Sequence, residues 1–342
     1  MKSSPRLSFF VLALGLIIGM FLSTSAAQQE VTLLNVSYDP TRELWRDMNS
    51  HFIPLYEKQK GVKLTINQSH GGSSTQARAV IDGLEADVTT LASFLDTDAI
   101  SKKGLIKDGW VDRLPNHSRP YYSTVVFVVR KGNSKGINDW PDLVNKPDVS
   151  IITPNPKTSG NGYVSFFAAW GSVVVRGGSR QDAINYVTKL YQRVPVLDSG
   201  ARGSTTTFVQ KGIGDVHLAW ENEAHLEVAE AKGELELVNP PISILAEPQV
   251  AVVDANVDRA QGHRDAAEAY LKYTYTDEAQ EIFAKHFYRP SNESILKKHT
   301  DVFPANTRLF PITAIAKDWP DAHKQFIGDG GVFDSIYKPK GR

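Results

Sequence analysis

The chain has 342 residues, with 38 basic side chains against 38 acidic ones, 41% hydrophobic residues and no cysteine. Balanced charge lacks the basic footprint of a nucleic-acid binder. The absence of cysteine rules out disulfides, thiolate metal sites, a thiol nucleophile and a lipidated N-terminal cysteine.

Lys2 and Arg6 precede the apolar stretch Leu7 to Leu22, and Ser25-Ala26-Ala27 has the small residues of a cleavage site. This pattern predicts a cleaved signal peptide over 1–27 and a mature chain starting at Gln28. The apolar stretch is short for a span of about 20 residues. Removing residues 1–27 takes two basic residues and no acidic ones, which leaves a slightly acidic, exported chain with no lipid anchor. A bacterial periplasm is the compartment that fits. The remaining length, about 315 residues, supports two globular lobes rather than one core.

Along the mature chain, short β-rich runs alternate with helical patterns. Val31 to Val36, Val62 to Asn67 and Val88 to Leu91 read as strands, with helices near Arg42 to Gln59 and Ser74 to Leu84. That alternation predicts a parallel sheet with helices on its faces. Tyr121 to Arg130 is a longer β-branched run and a crossing point to a second α/β set. There, strands are expected at Val149 to Thr153, Val194 to Leu197 and Val216 to Trp220, with helices at Gly162 to Gly171 and Gln181 to Gln192. After a β run at Pro248 to Asp254 the pattern turns helical from His263 to His286. The expected organisation is therefore a first part of lobe 1 over 28–120 and lobe 2 over 121–247. Residues 248–342 would return to lobe 1 and end in a helical tail.

Four short segments open helices in this reading. They are Tyr38-Asp39-Pro40-Thr41, Ser69 to Ser74, Lys157-Thr158-Ser159-Gly160-Asn161-Gly162 and Asp198 to Ser204. A helix start leaves unpaired N–H groups where the macrodipole is positive, which favours an anion. Each taken singly is an ordinary cap or turn. Asp39 before Pro40 suits an N-cap, and Ser73 with Gln76 has the capping-box spacing. Together, at the strand-to-helix loops of two α/β lobes, the four segments point to an anion site. Trp220, at the end of a strand, is by composition a core residue, although its indole N–H is a neutral donor.

Leu33 to Glu43, Gln68 to Ser73, Ile152 to Lys157, Leu197 to Ser204, Ala219 to Ala224 and Phe287 to Pro290 resemble the periplasmic sulfate-binding protein family. The likeness runs over nearly the whole mature chain. It implies an α/β, two-lobed periplasmic binding protein (type II) with the ligand cleft between the lobes. It also implies a receptor that gives sulfate or thiosulfate to the permease and ATPase subunits of an ABC importer. Such a protein works as a monomer, with no cofactor, no metal and no catalysis. The resemblance assigns anion contacts to the backbone N–H of Asp39, the Ser73 hydroxyl, Ser159, Gly160, Asn161, the N–H of Ala201 and the indole N–H of Trp220. Arg202 would steady the loops. The family commonly has two glycines after the serine, whereas this chain has Gly160-Asn161. Asparagine tolerates positive φ better than most residues, should that position require it.

A pocket of donors alone suits a doubly charged anion with no proton. A protonated oxyanion brings an O–H that would be left unpaired, at a cost of roughly 1–3 kcal/mol. Seven charge-assisted hydrogen bonds give a gross of roughly 10–20 kcal/mol, whereas micromolar affinity needs about −8 kcal/mol. Molybdate, tungstate or phosphate receptors are the alternatives within the binding class. A secreted hydrolase is the alternative outside it. The chain has no Gly-x-Ser-x-Gly elbow, no His-Glu-x-x-His and no phosphate-binding Gly-x-x-x-x-Gly-Lys-Ser/Thr loop. His217, Glu221 and His225 stand four apart, but the first lies in a predicted strand, so they share no helical face.

Overall fold

The computed structural model describes residues 29–337, so the expected signal peptide lies outside the described residues. Val31 and Leu33 alternate inward with outward Glu30 and Thr32, which starts β1 (Glu30–Tyr38). In α1 (Arg42–Lys60), Leu44, Trp45, Met48, Phe52 and Tyr56 form the buried face, and Gly61 ends the helix in the left-handed region. The chain continues through β2 (Lys63–Gly71), α2 (Ser73–Ile81), β3 (Val88–Leu91) and α3 (Phe94–Ser101). It then passes through β4 (Tyr121–Tyr122), β5 (Val125–Arg130) and β6 (Ile151–Ile152). Next come α4 (Gly160–Val174), α5 (Arg180–Gln192), α6 (Ala201–Thr205), β7 (Val216–Trp220), α7 (Glu221–Glu230), β8 (Leu235–Val238) and β9 (Ile242–Ile244). The last third holds β10 (Gln249–Val252), α8 (His263–Tyr273), α9 (Asp277–Lys285), β11 (Arg289–Pro290), β12 (Arg308–Phe310) and α10 (Val332–Ile336).

Two four-stranded sheets result, in the orders β10-β3-β1-β2 and β6-β7-β5-β8. In the first, β1 is parallel to both β2 and β3, and β10 returns antiparallel against β3. In the second, β6 and β7 are parallel, while β5 is antiparallel to β7 and β8. The molecule is thus a two-lobed α/β structure. The chain crosses between the sheets at residues 121–125 and 244–249, and the two crossings are bridged at Ser123 and Ala246. Thr124 Oγ1 donates to the Ile244 carbonyl at 2.8 Å beside that bridge. β11 pairs with β4 as a third strand there.

Three expectations change. The helical stretch from His263 to His286 resolves into two helices, because Thr276 caps α9 by accepting the Ala279 N–H at 3.3 Å. Val194 to Leu197 forms no strand; the stretch is tied to the β6 region only by bonds at its flanks, Ile151 N to Arg193 O and Asn155 N to Asp198 O, and Val196 is exposed. Finally, residues after 307 pack on the second sheet's helices. β12 is parallel to β9, Phe326 lies 4.6 Å from the Trp170 ring of α4, and Phe333 lies 5.2 Å from Tyr191 of α5. Covered on all sides, α4 buries every residue except Val173 and Val174.

Within α4, a Cβ at Gly171 would stand 2.1 Å from the buried Phe310 ring. Alanine's helix preference over glycine, about 1 kcal/mol, is smaller than the strain of moving that ring. Gly171→Ala is therefore expected to lower stability by about 1–3 kcal/mol in denaturant unfolding.

Candidate functional site

Three of the four helix-opening segments lie at strand carboxyl ends, as ligand loops do in open α/β sheets, and the fourth follows the irregular stretch after α5. Asp39 follows β1, Gly72-Ser73 follows β2, Ser159-Gly160-Asn161 follows β6, and Gly200-Ala201 opens α6. Trp220 is the last residue of β7. The lobes meet across these loops. A Cβ at Gly72 would stand 2.6 Å from the Thr158 carbonyl, one at Gly160 2.5 Å from Ala92 Cβ, and one at Gly200 2.4 Å from Asp39 Oδ2. The Tyr38 and Trp220 rings lie 5.9 Å apart, one from each sheet. The loops that carry the predicted residues thereby meet at the boundary between the lobes.

Asp39, Gly160, Asn161 and Ala201 are first-turn residues, whose N–H groups have no intrahelical acceptor. Ser159 caps α4 by accepting the Gly162 N–H at 3.4 Å, which leaves its own proton for another acceptor. Trp220 is buried, and its indole N–H has no partner among the described residues. Such a donor is costly unless something accepts from it.

Asn161 is helical, so no left-handed backbone is required there. With its side-chain amide turned so that the nitrogen faces an acceptor, it donates to the Leu218 carbonyl at 3.0 Å and accepts the Trp220 backbone N–H at 2.9 Å. One residue thus pins the α4 first turn to the end of β7. A Cβ at Gly162 would strike the Asn155 carbonyl at 2.5 Å, so 161 is the position in this turn that can carry a side chain.

The expected capping box does not form. Ser73 is itself the first residue of α2, and Gln76 Nε2 donates to Ser69 Oγ at 3.0 Å and to the Ser37 carbonyl. Ser73 Oγ instead donates to Asp96 Oδ2 at 2.6 Å and accepts the Ala92 N–H at 3.0 Å. Asp96 and Tyr163 belong to the site's surroundings and were not foreseen, because their contacts are long-range. Asp39 does not cap with its side chain either; its Oδ1 accepts from Arg42 at 2.6 Å.

Nearby cations are matched by carboxylates. Arg202 donates to Glu223 at 2.8 Å and to Glu43 of the opposite lobe at 2.9 Å. Lys157 pairs with Asp334 at 2.8 Å. His70, adjacent in sequence, contacts Gln68 and the Tyr38 carbonyl rather than Ser73. His217, Glu221 and His225 disperse: His217 contacts Glu227, Glu221 binds Arg289, and His225 stacks on Phe287. A groove of about 520 Å³ opens beside the cleft, lined by Ser74, Arg78, Asp96, Lys157, Tyr163 and His323, and none of the seven predicted donors faces it.

Residues 45–289 match the family described as bacterial extracellular solute-binding protein. The chain is 50% identical to the sulfate-binding protein of Escherichia coli K12 over 321 residues, covering 93% of this chain and 97% of that one. It is 47% identical to the thiosulfate-binding protein of Pseudomonas aeruginosa over 331 residues, covering 96% and 97%. The solved sulfate-binding protein SubI from Mycobacterium tuberculosis H37Rv superposes with a TM-score of 0.77 at 30% identity, covering 87% of this chain and 99% of that one.

Burial raises the Glu223 carboxyl to about 8, against the pull of Arg202 and with the push of Glu227. An acid whose pKa is raised by folding contributes its full stability below its ordinary value of 4.5 and loses it as pH rises through about 8. Between those limits the unfolding free energy is expected to fall with rising pH, by roughly 1–3 kcal/mol more than in Glu223→Gln. Paired denaturant titrations across that window measure the difference.

Proposed function

The chain belongs to the bacterial extracellular solute-binding family, among its sulfate- and thiosulfate-binding members, and we propose that it is the periplasmic sulfate receptor of an ABC importer. The observation that carries the reading is the buried Trp220 indole N–H, without a partner among the described residues, at the lobe boundary where the first turns of Asp39 from one lobe and of Asn161 and Ala201 from the other come together. The seven contacts are those of Asp39, Ser73, Ser159, Gly160, Asn161, Ala201 and Trp220. Lobe 1 is formed by 29–120 and the return from 248, lobe 2 by 121–247 together with the segment after 307.

Selectivity follows from the donor set. Backbone and indole N–H groups offer no acceptor to an anion that carries a proton, the Ser73 and Ser159 oxygens already accept from Ala92 and Gly162, and both oxygens of nearby Asp96 are engaged by hydroxyls, which disfavours hydrogen phosphate. Asp39 could have supplied an acceptor. Its Oδ1 is engaged by Arg42, and its Oδ2 lies against Gly200. Because Arg42, Lys157 and Arg202 are already paired, the anion's charge is met by oriented dipoles rather than by a free cation. The protein acts as a receptor without chemistry of its own. It works as a monomer that closes on its ligand and docks on a membrane permease, while a partner ATPase supplies the energy. Thiosulfate, which shares three of the oxygens and the double charge, is the second ligand.

Calorimetric titration of ligand-free mature protein with sulfate near neutral pH is expected to give one-to-one binding that persists in excess phosphate. No heat at several temperatures, with folded and verified sulfate-free protein, would overturn the assignment. Trp220→Phe removes one donor and keeps an aromatic ring. A charge-assisted hydrogen bond is worth about 1.5–3 kcal/mol, so the affinity for sulfate is expected to fall roughly 10- to 150-fold.

A further inference from the structure

Asp96 is a carboxylate between the cleft and the groove beside it, without an ion-pair partner among the described residues; its hydrogen-bond partners are hydroxyls. Oδ1 accepts from Ser74 Oγ at 2.8 Å. Oδ2 accepts from Ser73 Oγ at 2.6 Å and from Tyr163 Oη at 2.7 Å, with Ser93 Oγ at 3.5 Å. The three serines belong to the first lobe. Tyr163 stands on α4 of the second, and its hydroxyl also lies 2.6 Å from Ser93 Oγ. Asp96, Ser73, Ser93 and Tyr163 are all buried. Burial holds the Asp96 carboxyl above its ordinary range, and the hydroxyls oppose that rise.

Ser73 has one proton, and here it points at Asp96 while Ser73 Oγ accepts the Ala92 N–H. To donate to an anion in the cleft, that proton must turn away from Asp96. The buried carboxylate then loses its shortest hydrogen bond, a costly change unless another donor holds the same oxygen. Tyr163 is that donor, and it reaches Oδ2 only when the lobes are together. We propose that Tyr163 and Asp96 form a closure clasp: the tyrosine hydroxyl of one lobe takes over the carboxylate of the other, freeing the Ser73 hydroxyl for the anion. No covalent bond changes; one proton donor replaces another on Asp96. Tyr163 and Asp96 are thus positioning residues that act on the ligand through Ser73, and they link binding to closure. This inference rests on the receptor reading above.

The test is a stopped-flow and calorimetric comparison of wild type, Tyr163→Phe, Asp96→Asn and the double variant with sulfate. Tyr163→Phe keeps the ring and is expected to raise Kd about tenfold or more, through faster dissociation with an association rate within about twofold of wild type. The double variant is expected to bind no more weakly than Asp96→Asn alone, because the two residues act through one hydrogen bond. Ligand-free unfolding midpoints check that each variant is folded. If Asp96→Asn does not fold, Ser73→Ala replaces it, and the same non-additivity with Tyr163→Phe is expected. Tyr163→Phe binding within twofold of wild type, or independent and multiplicative losses, would overturn the clasp alone. A wild-type protein that binds neither sulfate nor thiosulfate would overturn the receptor reading, and the clasp with it.

Discussion

A peptide N–H can reach an anion only if the chain that carries it comes within hydrogen-bond distance. In this protein that approach is limited by side-chain volume at the lobe boundary. Gly72, Gly160 and Gly200 each face the opposite lobe with no space for a Cβ. Any larger residue would push apart the loops that carry Ser73, Asn161 and Ala201. Backbone proximity is thus the condition for everything else in the cleft, including the burial of Trp220 and the reach of Tyr163 to Asp96.

Close approach also sets the electrostatics. A cleft that excludes water strengthens every dipole inside it and makes every unmatched charge expensive. The surrounding cations are accordingly paired. Arg202 joins Glu43 and Glu223 from opposite lobes, and Lys157 is tied to the C-terminal segment through Asp334. These pairs hold the loops while leaving the first-turn amides as positive poles at the lobe boundary. Asn161 extends the same economy, since its side chain fixes the β7 end and its N–H stays in the first turn of α4.

Much of this was legible in the sequence because it is local. Strand–helix alternation gives both sheets, and the Gly/Ser segments announce helix starts whose chemistry depends on backbone alone. Misreadings came where a distant partner outweighs a local rule. Ser73 and Gln76 have capping-box spacing, yet Asp96, far along the chain, takes the serine proton. Val194 to Leu197 has strand composition, but the edge of β6 offers it too few partners. Asp96 and Tyr163 carry no motif at all; only the folded cleft puts a lone carboxylate beside a phenol from the other lobe. The packing of the tail on α4 was equally hidden, because aromatic residues at Phe310, Phe326 and Phe333 give no sign of which lobe they join.

The threading of the chain governs the order in which the molecule can assemble. The first sheet lacks its edge strand, leaving β3 unpaired on one side, until β10 is made, and α4 stays uncovered until Phe310, Phe326 and Phe333 arrive. Neither lobe is encoded by one continuous stretch, so early segments must wait for contacts of large sequence separation, which form slowly. Synthesis from the N-terminus therefore produces a long nascent chain with no complete lobe. Such a chain remains threadable through a narrow channel until nearly all of it has been made.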